Sequence, residues 1–149
     1  MSTYTEIVGE KLNALLEKTY DAEKGFKKAA ENAKGYDLKA YFKRKSIERG
    51  NFGQALRNEI QNFGQEIEEG GSMAGAMHRT WMDIETFFSS DNDESMLTAA
   101  IAGEKSAIEE YDDVLREINL PPSTATLLAQ QRNQIASDLN TIKRLEDIS

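Results

Sequence analysis

Between Val8 and Ala33, the residues Val8, Leu12, Leu15, Thr19, Ala22, Phe26, Ala29 and Ala33 follow one another at steps that alternate four and three. That is the 3.5-residue repeat of a helix burying one stripe against other helices. A strand would need a repeat of two. The only two prolines, Pro121 and Pro122, are adjacent. Three long stretches therefore hold no helix breaker apart from scattered glycines.

Four long helices follow from this pattern. The first starts near Thr3, where Thr3 and Glu6 have capping-box spacing. Lys34-Gly35 ends it, with the glycine suited to a left-handed cap, and Asp37 is the expected N-cap of the second. The second helix runs to about Glu68 on Leu38, Tyr41, Phe42, Phe52, Ala55, Leu56, Ile60 and Phe63, and Gly70-Gly71 stops it. Between Phe42 and Phe52 its inward side is unusually polar, with Lys45, Glu48 and Arg49 nearby. A short helical pattern follows in Met73, Met77, Trp81, Ile84 and Phe88, then a polar loop and an acid-rich first turn. The third long helix has the seam Leu97, Ile101, Glu104, Ile108, Tyr111, Leu115 and Ile118. After the proline pair, Ser123 is the expected N-cap of the last, which uses Leu128, Gln131, Ile135, Asp138 or Leu139, Ile142 and Leu145.

Each long helix should span roughly 38–48 Å at 1.5 Å per residue. The short turn at Lys34-Gly35 makes the first two antiparallel neighbours. The next connection is long enough to return along the bundle. The expected fold is all-α: a single-domain, ferritin-like four-helix bundle over residues 1–149, with a short extra helix in the long connection between bundle helices 2 and 3. The alternative is an up-down-up-down bundle capped by that short helix.

Composition narrows function. A formal net charge of −8 disfavours a nucleic-acid partner and an anionic membrane surface. The absence of cysteine removes disulfides, thiolate nucleophiles and Cys-ligated zinc. No signal-peptide pattern or membrane-spanning run is visible, so a cytoplasmic location is expected. The single histidine, His78, supports no Ser/His/Asp set, and there is no phosphate loop. An orienting or surface role suits it better than catalysis.

Glu104 stands out because a carboxylate in an apolar seam needs compensation: a metal, a basic partner, hydrogen bonds or protonation. In di-metal bundles inward Glu residues and Glu-x-x-His pairs supply the ligands. Here Asn51 stands where Glu48 would need its His, and the last helix offers none. An oxygen-only set of Glu23, Glu48, Glu104 and Asp138 remains as a candidate metal site, suited to Mg, Ca or Mn better than to oxygen-activating di-iron chemistry. Glu104-x6-Tyr111 has the look of a di-metal bundle helix, whereas Arg49 beside Glu48 points instead to a buried or half-buried ion pair. The apolar set around His78 and Trp81 packs on the bundle or forms an interaction surface.

Asp21-Ala-Glu-Lys-Gly25-Phe26, Glu48-Arg49-x-x-Phe52, Gly71-Ser72-x-x-Gly75-x-x-His78-Arg79-x-Trp81-Met82 and Gly103-Glu104-x6-Tyr111 occur in this order. Together they resemble an uncharacterised bacterial ferritin-like four-helix-bundle family of unknown function, over nearly the whole chain. The resemblance implies a ferritin-like fold and a cytoplasmic bacterial protein, and it does not imply an activity. Members often carry His-Asp before a basic ending; Ser137-Asp138 stands there in this chain, which weakens a metal site. The reading favours a non-enzymatic protein without a cofactor, acting through protein interaction or as a homo-oligomer, a dimer by preference, with a stress-related role. The alternative is a divergent bundle binding Mn, Fe or Mg through interior carboxylates.

Overall fold

The computed structural model describes residues 3–67, 92–117 and 119–142. Among them are four helices and no strand: α1 (Tyr4–Asn32), α2 (Tyr36–Asn62), α3 (Asp93–Glu117) and α4 (Pro122–Thr141). The short extra helix expected around Met73 and Trp81 lies outside the described residues, as does Ile118. None of the described helices is long and apolar enough to cross a membrane.

Helix ends are set partly by tertiary contacts. Thr3 caps α1 as expected, accepting the Glu6 N–H at 3.2 Å, while the Glu6 carboxylate takes the Thr3 hydroxyl at 3.1 Å. The far end differs. Gly35 is extended (φ −71°, ψ 133°), not left-handed, and it is the N-cap residue of α2 in place of Asp37, which falls in the first turn. The extended turn leaves the N–H groups of Lys34 and Gly35 pointing outward, and the Asp93 carboxylate accepts them at 2.9 and 2.8 Å. A Cβ on Gly35 would lie 3.2 Å from that carboxylate, so close approach is what favours glycine here.

α2 ends at Asn62, several residues before the expected stop. Gly64 is left-handed (φ 70°). Its N–H bonds to Gln61 O at 2.9 Å and that of Gln65 to Ile60 O at 3.2 Å, the paired bonds of a Schellman motif. Asn92 caps α3 by accepting the Ser95 N–H at 2.9 Å. α4 starts at Pro122, with Pro121 rather than Ser123 in the cap position. A proline in the first helical position has no N–H to waste.

Cross-helix bonds fix the direction of each helix. Lys11 pairs with Glu117 at 2.7 Å and Lys18 with Glu110 at 2.6 Å, so α3 runs antiparallel to α1. Thr124 donates to Glu59 at 2.6 Å and Gln131 to Phe52 O at 3.3 Å, so α4 runs antiparallel to α2. With α1 and α2 also antiparallel, α2 and α3 are parallel. That is the connectivity of a bundle with one long crossover rather than up-down-up-down.

The interior divides into two apolar regions. One gathers Phe26, Ala29, Leu38, Phe42, Met96 and Leu97 near the α1–α2 turn. The other gathers Leu12, Leu16, Leu56, Ile60, Leu128 and Ile135 toward the opposite end. Each such aliphatic or aromatic side chain contributes about 1.5–3 kcal/mol by leaving water. The α1 seam is buried nearly as expected, with Ala22 only partly so. In α3, Leu97, Glu104 and Tyr111 are buried, but Ile101 and Ile108 are half-exposed, and Met96, Ala100 and Val114 share the core instead.

Candidate functional site

Between the two apolar regions lies a layer of charge. On α2, Lys45 and Arg49 fall one turn apart on the inward stripe and are buried to 0% and 2% exposure, and Glu104 on α3 to 3%. The Arg49 guanidinium grips Glu104 in a two-pronged pair, Nη1 to Oε2 at 3.2 Å and Nη2 to Oε1. Its Cζ lies 5.6 Å from the Phe26 ring centroid and 5.8 Å from that of Phe52. The planar cation thus meets a carboxylate along its edge and aromatic rings over its faces.

Lys45 Nζ is the hub. It lies 2.6 Å from Asp138 Oδ2, 2.8 Å from Glu48 Oε1 and 3.2 Å from Glu104 Oε2. Three carboxylates from three helices converge on one ammonium, which has three protons to offer. Burial pushes the Lys45 ammonium down, but Glu104, Asp138 and Glu48 outweigh it and raise its pKa above the ordinary lysine value. The same balance, burial against Glu104, raises Arg49. Both cations stay charged.

Beneath this layer, Tyr111 donates to Gln131 Oε1 at 2.5 Å and Gln131 donates to the Phe52 carbonyl at 3.3 Å. Thr19 donates back to Leu15 O at 2.7 Å. Among the described residues no buried side-chain nitrogen or oxygen lacks a partner. A satisfied network of this kind holds packing in place rather than inviting a ligand.

Burial pushes the hydroxyls of Tyr41 and Tyr111 each up to about 12. Folding favours their neutral forms, so the stability they add is complete below pH ~10 and drains as pH climbs from there toward ~12. Lys45 has the same sign, its raised ammonium losing its contribution in strong alkali. We expect stability against urea to fall steeply over this window, by about 2–3 kcal/mol for each tyrosine. Tyr41→Phe and Tyr111→Phe should each flatten the decline relative to their own neutral-pH stability. An unchanged slope in both variants would contradict the assignment.

The structure brings together Glu48, Glu104, Asp138 and Arg49 of the residues singled out from sequence. Glu23 does not join them. Its carboxylate lies over α2, 2.6 Å from where a Cβ on Gly50 would sit. Tyr111 donates to Gln131 one layer away. His78 and Trp81 lie outside the described residues. Lys45, the hub itself, has one signal in the sequence that singles it out, its place one turn before Arg49 on a buried stripe. Among the described residues, no group of three or more His, Cys, Asp or Glu side chains is arranged to hold a metal ion. The carboxylates that could approach one have Lys45 Nζ between them.

Fold and layer together define a single-crossover four-helix bundle with an ion-paired interior. Residues 8–117 match the family model described as Domain of unknown function (DUF2383), and the chain belongs to that family. The matched span holds Lys45, Glu48, Arg49 and Glu104 and stops before Asp138. No curated protein and no solved structure matches the chain.

Proposed function

We propose that the protein is a non-enzymatic, ferritin-like bundle that acts through its surface, by binding another protein or by self-association, with a dimer as the favoured form. The observation that carries this reading is the seat of Lys45. In ferritin-like bundles the midpoint of the interior holds metal ligands. Here a covalently attached cation takes the central place, and Glu48, Glu104 and Asp138 are committed to it. A structural charge layer of this kind needs no cofactor to be complete.

The experiment is metal analysis of protein purified without chelator, with thermal melts in added Mn or Fe(II) and light scattering at high concentration. The expected result is no stoichiometric metal, an unmoved melting temperature and a dimer. Stoichiometric Mn or Fe with a raised melting temperature would overturn the reading in favour of a metal-binding bundle. That second reading draws support from the same three carboxylates, which lie within 3.2 Å of a single atom.

A further inference from the structure

Charge is unevenly spread along this chain. Residues 24–44 carry seven Lys or Arg and only two acids, in a chain whose net charge is −8. Because α1 and α2 fold back on each other at residues 33–35, this basic stretch gathers at one end of their hairpin. There α2 turns Tyr36, Ala40, Lys43, Arg44, Ile47 and Asn51 to solvent. Their spacing is that of one stripe along a helix, with the exposed Asp37 along its edge two turns before Arg44.

It is also where apolar surface is exposed. The exposed large hydrophobic side chains among the described residues are Tyr4, Tyr36 and Ile47. Tyr4 is engaged at the other end, donating to the Asn119 carbonyl. Tyr36 at 84% and Ile47 at 59% exposure both lie on the stripe. The Arg44 Cζ rests 5.4 Å from the Tyr41 ring centroid, so this cation is held in place before any partner arrives.

We infer that the outer stripe of α2 docks an acidic protein segment bearing apolar side chains, its carboxylates meeting Lys43 and Arg44 and its apolar groups covering Ile47 and Tyr36. The inference rests on the reading that the protein acts through its surface. Charge selects this occupant over others. A symmetric pairing of the stripe with a second copy would set Lys43 and Arg44 against like charges. Four of the five acids between Glu109 and Glu117 of α3 in a second copy are already engaged. Glu110 is held by Lys18 at 2.6 Å, Asp112 by Arg132 at 2.9 Å, Glu117 by Lys11 at 2.7 Å, and Asp113 by Arg116. A phosphodiester backbone offers Ile47 nothing apolar. A bilayer demands a broader apolar face than these side chains make.

The test is fluorescence anisotropy of the full chain with a labelled helical peptide presenting a Glu stripe beside a Leu stripe. Companion probes are the same peptide with Lys for Glu, the same with Ala for Leu, phosphatidylserine-containing vesicles, and an oligothymidine. Binding is expected for the Glu/Leu peptide, weakened about tenfold between roughly 0.05 and 0.3 M salt. Lys43→Glu/Arg44→Glu should lower it about tenfold or more, and Ile47→Ser severalfold, with melting temperatures unmoved because all these side chains are exposed. Equal binding of the Lys peptide, indifference to the double reversal, preference for vesicles or oligothymidine, or no peptide binding would each overturn it. Metal uptake, which would overturn the reading of the interior, leaves this measurement unaffected.

Discussion

Arg49→Met is expected to cost about 3–5 kcal/mol of folding stability, because it strips the two-pronged partner from a carboxylate that is almost wholly buried. Methionine keeps most of the apolar volume beside Phe26 and Phe52, so the loss reports on charge more than on packing. Lys45 remains 3.2 Å from Glu104 but is already shared with Glu48 and Asp138. It cannot replace two guanidinium bonds. The companion variant Arg49→Met/Glu104→Met removes the stranded charge and should recover most of the loss. Urea unfolding at neutral pH measures both. A single-variant cost below about 1 kcal/mol would mean that water or Lys45 solvates Glu104 well enough for the pair to be dispensable.

Lys45→Ala should have an effect as large, and of a more telling kind. It leaves Glu48, Glu104 and Asp138 facing a hole where an ammonium held them together. At neutral pH their mutual repulsion and the loss of two charge-assisted hydrogen bonds and the Glu104 ion pair should remove about 3 kcal/mol or more. The hole also has the chemistry of a hard-cation site. The carboxylate oxygens lie 2.6–3.2 Å from the vacated point, and Ca²⁺ takes oxygens at about 2.3–2.6 Å. Small movements would close the difference. The variant, unlike the parent chain, is therefore expected to regain several degrees of melting temperature when Ca²⁺ or Mn²⁺ is added, through preferential binding to the folded state. A variant that ignores both ions would show that the three carboxylates part once Lys45 is gone.

Much of this architecture could be read in advance because burial leaves a period in the sequence whatever side chain occupies each place. Glu104 was visible as a seam residue for that reason, and Arg49 was visible as its basic partner. The parallel course of α2 and α3 followed from the length of the connection. What the period does not carry is which neighbour each polar group chooses. Asp138 was grouped with Glu104 as one ligand beside another, whereas both bind Lys45. Glu23 shares an inward-leaning face but settles against the backbone of Gly50. Helix ends were misplaced wherever the decisive atom came from far along the chain. Asp93 holds the α1–α2 turn from 58 and 59 residues away. Gly64 ends α2 through a local left-handed turn, although the Gly70-Gly71 pair is the stronger stop signal in the sequence.

The charged layer also limits how the helices can slide. Two greasy regions alone would tolerate α3 shifted by one turn, since Ala100 or Ile108 could sit against aliphatic neighbours almost as well as their present contacts. With Arg49 in a fixed position on α2, such a slip by about 5.4 Å would strand its guanidinium in an apolar surround and drag Glu104 away from it and from Lys45, which Glu48 and Asp138 would still hold. The layer thus acts as an index mark, a single point at which α2, α3 and α4 must agree. By that logic the doubly apolar variant at 49 and 104 would keep its stability and lose its uniqueness, folding into bundles that differ by a turn.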